Sequence, residues 1–277
     1  MTDLLRLCRL YYAVPMALAY TLTVCYALGG EMDGQWVGTL LSSSALALVI
    51  AAAYVFNDVC DRQVDCINSP QRPIAVGRVR PGVAIVMSTA LLAAGLTIGA
   101  MCRRELLAVL SLVAVGLVIY DLFSKRLGIG KQILVAALMT SIYPLAFAQA
   151  GGAAGNRAAT LAIFPVWMFL TSFGYEVLKD VRDVRGDLAA TARPSWIQRN
   201  PRLGRQVSAA AILVGAVALI GPCLTGCGSL YMSIAALAML AAIAAAFQST
   251  RRAMTLIYVE CLLVGVAATA DLIFLGR

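Results

Sequence analysis

Tyr54-Val55-Phe56-Asn57-Asp58-Val59-Cys60-Asp61-Arg62-Gln63-Val64-Asp65 closes an apolar run that begins near residue 36, and the switch at Asn57 from apolar residues to carboxylates organises the chain. The switch recurs 122 positions later (58 to 180), where the run near 158–178 gives way to Lys179-Asp180-Val181-Arg182-Asp183-Val184-Arg185-Gly186-Asp187. Both windows carry carboxylates at i, i+3 and i+7. Only 14 of the 277 residues are Asp or Glu, and six of them stand in these two windows.

Working outward from the windows, 61% of the chain is hydrophobic and 13% charged, and its mean hydropathy is +0.85. Soluble domains carry about a quarter charged residues, so this is the composition of an integral membrane protein. Apolar runs of the length needed to cross a bilayer are predicted near 10–29, 36–56, 82–101, 106–123, 132–150, 158–178, 206–224, 228–247 and 254–275. The expected fold is all-α: nine transmembrane helices in one domain, as two four-helix halves plus a ninth helix. The first run continues to full span length and lacks a cleavage-type ending, so it reads as a retained span.

A net charge of +8 in a soluble chain would suggest nucleic acid. Here the basic residues sit in loops, and no nucleic acid partner is expected. With the N-terminus in the cytoplasm, 18 of the 22 Lys and Arg fall on the cytoplasmic side, the orientation set by the positive-inside rule. Both acidic windows then lie on the cytoplasmic face of the inner (plasma) membrane. The eight Cys form no C-x-x-C pair and His is absent, which argues against zinc, a disulfide framework and His-dependent nucleophiles.

On a continuing helix, the i, i+3, i+7 spacing places three carboxylates on one face. Two unit charges 4 Å apart repel by about 4 kcal/mol at an effective dielectric near 20, so such a face needs a cation. Oxygen-only ligands suit Mg2+, which shares its coordination between carboxylates, water and phosphate. Arg62, Arg72, Lys179, Arg182, Arg185, Lys125 and Arg126 surround the windows, and carboxylate-held metals together with basic side chains make a pyrophosphate clamp. A cation transporter is the non-enzyme alternative. A translocation site is expected near the membrane midplane, whereas these windows lie at its edge. Glu260 and Asp271 within the last span, Glu176 one turn before Asp180, and Tyr54, Tyr143 and Tyr175 are further candidates for the cavity or its supports.

The stretch from Asn57 through Asp65-Cys66-Ile67-Asn68-Ser69-Pro70-Gln71-Arg72-Pro73-Ile74 resembles the first signature of the UbiA superfamily of intramembrane prenyltransferases. Lys179 to Asp187 resembles its second, and Tyr120 to Lys125 is similar to the Tyr and Lys segment after its fourth helix. The resemblance implies a helical bundle around a central cavity, capped by cytoplasmic loops, that binds a prenyl diphosphate donor through two Mg2+ ions. Carried over, Asp58, Asp61 and Asp65 would hold one metal and Asp180, Asp183 and Asp187 the other. Asn57 would support the first cluster, and Arg72, Tyr120, Lys125 and Lys179 would meet the diphosphate. The implied reaction transfers the polyprenyl group to a lipophilic or aromatic acceptor, of geranylgeranylglyceryl phosphate or quinone and tocopherol type. A terpene cyclase on the same fold is the enzyme alternative. The Arg9-Leu10-Tyr11-Tyr12 entry to the first helix departs from the superfamily's Arg-x-x-Asn and bears on the acceptor.

Overall fold

A computed structural model describes residues 2–124, 126–152, 158–190 and 195–274, the side chains of residues 158, 185–187, 189 and 190 excepted. The described chain is helical, with no strand: α1 (Thr2–Leu7), α2 (Leu10–Ala27), α3 (Trp36–Cys60), α4 (Arg62–Asn68), α5 (Pro81–Cys102), α6 (Arg104–Phe123), α7 (Gly130–Thr140), α8 (Ile142–Ala150), α9 (Ala158–Ala190), α10 (Trp196–Arg199), α11 (Pro201–Ala218), α12 (Gly221–Leu224), α13 (Ser229–Phe247) and α14 (Thr250–Phe274). Among the described residues nine stretches are long and apolar enough to span a membrane, and they match the nine expected from the sequence.

The fifth span is two helices rather than one. Pro144 has no N–H for the Thr140 carbonyl; α7 stops at Thr140, and α8 begins after Ser141, whose hydroxyl donates to the Leu138 carbonyl at 2.6 Å. The sixth span outruns its apolar stretch, because α9 carries the second acidic window forward to Ala190 without a break. The first window does the opposite. Its helix ends at Cys60, Asp61 sits between two helices with φ −92° and ψ 8°, and α4 resumes at Arg62. The expectation of one continuous acidic face thus fails at the first window: Asp58 lies on α3, Asp61 on the break and Asp65 on α4.

Large apolar side chains face outward, as Val86, Met101, Leu112 and Leu237 do. Small ones face inward, as in the buried row Ala235, Ala238, Ala242 and Ala245 of α13. Lipid solvates the outer face, and small residues let helix backbones approach closely. Gly174 of α9 shows how closely: a Cβ there would lie 2.7 Å from Ile212 Cγ1 and 2.9 Å from the Ser208 carbonyl oxygen of α11.

The helices enclose a cavity of about 2200 Å3, larger than the roughly 300–1,000 Å3 of ordinary ligand pockets. One end is polar, with Arg9, Asn57, Asp58, Arg72, Glu176 and Lys179 in its wall. The other end is apolar, with Leu22, Tyr26, Leu161, Phe164 and Ala268. Lys179 and Leu161 stand 18 positions apart on α9, about 27 Å at helical rise. Leu18 of α2 and Leu262 and Val266 of α14 line the cavity and are also exposed, so it opens sideways between those helices. Tyr26 closes the far end: its hydroxyl donates to Asp271 at 2.5 Å, Asp271 also accepts from the Gly228 backbone at 3.3 Å, and the Tyr26 ring meets Phe164 edge-on at 5.9 Å. Asp271 is therefore a structural tie.

Candidate active site

Asp58 is buried in the last turn of α3 and takes two cations, Arg9 from the turn before α2 and Arg72 from the loop after α4. Arg9 is the only described non-glycine residue with positive φ (43°). That left-handed turn separates α1 from α2 and aims the guanidinium at Asp58, over the face of Tyr54 at 4.9 Å. Burial works against its charge, but the Asp58 carboxylate outweighs burial and holds Arg9 above its ordinary pKa. Arg72 Nη1 bridges Asp58 at 3.3 Å and Asp65 at 2.5 Å. Even so, burial pushes Asp65 up to about 6, with Arg72 opposing and Asp58 and Asp61 adding to the rise.

Asp61 is approached from the side by Asn57, whose Nδ2 donates to Asp61 Oδ2 at 3.2 Å and to Asp121 Oδ1 on α6 at 3.0 Å. Next to Asp121, the Tyr120 hydroxyl donates to Glu176 on α9 at 3.1 Å, and Lys179 reaches the same carboxylate at 3.2 and 3.3 Å. Successive residues of α6 thus tie together the two helices that bear the acidic windows. A second tie comes from Asn68, which donates to the Asp183 carbonyl at 3.2 Å and docks α4 on α9.

Of the residues expected at the site, Asn57, Asp58, Arg72, Tyr120 and Lys179 line the cavity, as do Tyr54, Tyr143 and Tyr175. Asp183 is half-buried and held by the neighbouring Arg182 at 2.7 Å. Asp180 turns to α7, where Lys131 Nζ lies at 2.5 Å and Gln132 Nε2 at 2.7 Å. Lys125 and the Asp187 side chain lie outside the described residues. Glu260 is buried against Trp167 Nε1 at 2.8 Å and Thr171 at 3.4 Å, which sets the Trp167 indole in the cavity wall.

The sequence marks Arg9 only as a departure at the helix entry, and does not single out Asp121, Lys131 or Gln132. Asp121 and Lys131 are isolated charges at the edges of apolar runs, the signal that marks functional positions in a membrane. The cation required between the carboxylates is supplied here by the protein itself, through Arg9, Arg72, Lys131 and Lys179. Among the described residues no three carboxylates gather into one metal-sized cluster. The donor set still fits a hard divalent ion: it is oxygen-rich and lacks His, and behind it a buried carboxylate oxygen, Asp121 Oδ2, has no hydrogen-bond partner.

A deep cavity, apolar along most of its length, open sideways between α2 and α14 and lined at its polar mouth by carboxylates and cations, has the shape and chemistry to hold an amphiphile with an anionic head within the membrane. A model of the UbiA prenyltransferase family matches residues 17–255, and the chain belongs to that family. It is a membrane-embedded transferase of prenyl groups. The digeranylgeranylglyceryl phosphate synthase of Methanothrix thermoacetophila is 30% identical over 228 residues, 82% of this chain and 81% of that one. Among solved structures, a digeranylgeranylglyceryl phosphate synthase superimposes with a TM-score of 0.74 at 19% identity, covering 98% of each chain. A UbiA homolog from Archaeoglobus fulgidus, bound to GPP and Mg2+, superimposes with a TM-score of 0.69 at 15% identity, over 98% of this chain and 99% of that one.

Proposed function

We propose that the chain, a single domain of two four-helix halves and a ninth helix, moves a long polyprenyl group from its diphosphate to the hydroxyl of a geranylgeranylglyceryl phosphate-type lipid. Pyrophosphate leaves at the cytoplasmic end of the cavity. The observation that carries this reading is the joining of two environments: within one cavity of about 2200 Å3, a polar mouth of Asp, Asn, Arg and Lys opens directly into apolar and tyrosine-lined space. The acceptor follows from the activity in the name of the Methanothrix relative; the orientation follows from the basic loops.

Asp58, Asp61 and Asp65 on one side and Asp180, Asp183 and Asp187 on the other would hold two Mg2+ ions, Asp180 on leaving Lys131. When bound, the ions neutralise the diphosphate and make it a better leaving group. The chain's own residues do the rest. Arg72 and Lys179 hold the phosphate oxygens, and the apolar wall keeps water from the allylic carbon as its C–O bond lengthens. Tyr143 and Tyr175 line the space where positive charge develops, whereas the Tyr54 ring is already taken by Arg9. The acceptor oxygen bonds to that carbon as the C–O bond to pyrophosphate breaks, and the hydroxyl proton passes to the departing pyrophosphate.

Incubation of purified protein with geranylgeranyl diphosphate, Mg2+ and either geranylgeranylglyceryl phosphate or homogentisate, read by mass spectrometry, tests the acceptor. A prenyl gain on the glyceryl lipid alone supports the proposal, and a gain on the aromatic alone overturns it. A cyclic product from the diphosphate without acceptor would instead make the chain a cyclase. Asp61→Ala and Asp183→Ala proteins that still insert are expected to lose turnover; retained activity would remove these carboxylates from the reaction.

A further inference from the structure

We propose that Asp121 is a positioning residue that fixes the Asn57 carboxamide so that its carbonyl oxygen, and not an N–H donor, is offered to a cation at the mouth of the cavity. The inference rests on the divalent-cation reading above. It begins with the two bonds from Asn57 Nδ2, 3.2 Å to Asp61 Oδ2 and 3.0 Å to Asp121 Oδ1. A primary amide has two N–H groups, and both are committed to oxygens that accept. An amide turned the other way would set its carbonyl oxygen against two carboxylates, so the neighbours decide the orientation. Asn57 lines the cavity. With its donors used, what it has left for a ligand there is Oδ1, an acceptor that suits a cation and repels a phosphate oxygen.

Asp61 alone does not enforce this. It would occupy one N–H and leave the other free to donate to a diphosphate or to rotate away. The second clamp is Asp121, fixed in the last full turn of α6 and 8% exposed. Its Oδ2 is buried without a hydrogen-bond partner, so among the described residues the one hydrogen bond through which Asp121 acts is that from Asn57. The same hydrogen bond locks α6 to the end of α3, where Asp61 leaves the helix. Asp121 thus acts on the mouth through Asn57.

Mn2+ binding to the detergent-purified protein without substrate, followed by the electron paramagnetic resonance of free Mn2+, tests this apart from turnover. Asp121→Asn keeps an acceptor oxygen for Asn57 and is expected to bind within about threefold of wild type, whereas Asp121→Ala should bind about tenfold more weakly. The Asn57→Ala/Asp121→Ala protein should be no weaker than Asn57→Ala alone, because one residue works through the other. The Mg2+ concentration for half-maximal prenyl transfer should rank the variants in the same order. Equal losses in Asp121→Asn and Asp121→Ala would make Asp121 a direct ligand or a required charge and overturn the proposal, as would additive losses in the double variant. So would an Asp121→Ala protein that binds as wild type does. A wild-type protein that takes up no Mn2+ and transfers prenyl groups without a divalent ion would sink the cation reading itself, and this inference with it.

Discussion

Lys131 on α7 holds Asp180 on α9 at 2.5 Å, Nζ to Oδ1, with both side chains largely withdrawn from solvent. A carboxylate of the second acidic window is thereby matched to a cation from a different span, and the contact fixes the upper part of α9 against α7.

Removing one partner of such a pair leaves an uncompensated buried charge. Lys131→Met is expected to destabilise the protein by about 3–5 kcal/mol, and Lys131→Met/Asp180→Asn to recover a large part of that loss. Thermal melts of the detergent-solubilised variants measure both; equal melts for the single and double variants would show that the pair is not coupled.

Arg72 spans Asp58 and Asp65. Its loss should have opposite effects on the two ligands of the mouth. In Arg72→Ala the carboxylates lose their internal cation and should bind Mg2+ more tightly, while the donor diphosphate loses a partner and its KM rises, by about tenfold. Kinetics against Mg2+ and against donor separate the two; a parallel weakening of both would contradict the arrangement.

Asp65 titrates near 6 because burial favours its neutral form. A carboxyl raised above its unfolded value of about 3.9 contributes stability that is complete below that value and is lost as pH climbs through about 6. Metal-free protein should therefore lose stability between about pH 4 and pH 6 from this group. Mg2+ held by Asp65, as proposed above, would reverse the sign, since the ion needs the carboxylate and the proton competes with it. Thermal melts with and without Mg2+ at pH 5 and pH 7.5 should show a larger Mg2+ gain at the higher pH.

The apolar end of the cavity sets how much chain fits. Ala268 is buried in its wall near Tyr26 and Phe164. Ala268→Trp should cut kcat/KM for a geranylgeranyl donor at least about tenfold relative to a geranyl donor, the overpacking falling only on the longer chain. Equal losses for the two donors would place the chain elsewhere.

Two glycines within long helices, Gly174 of α9 and Gly265 of α14, should respond differently. Gly174→Ala drives a methyl into Ile212 and the Ser208 carbonyl, at about 1–3 kcal/mol, whereas Gly265 faces the cavity with nothing within 4 Å of an added Cβ, and Gly265→Ala should leave the melt unchanged.

What the sequence alone determined is what depends on local composition. Nine spans follow from apolar runs of bilayer length, because backbone polar groups in hydrocarbon must bond within their own segment. The acidic windows, Arg72 and Lys179 were legible because charge in so apolar a chain must be there for a reason, and Tyr120 through the family resemblance alone. Tertiary structure alone decided which charges meet. The first window breaks at Asp61, so Asp58 and Asp65 converge on Arg72 while Asp61 meets Asn57, a division that spacing could not foretell. Asp180 turns to Lys131, Arg9 folds back on Asp58 across 49 positions, and Asp121 reaches Asn57 across 64. Each partner is chosen by how helices distant in sequence pack, and the strength of a buried ion pair or hydrogen bond depends on that geometry rather than on the residues' order along the chain.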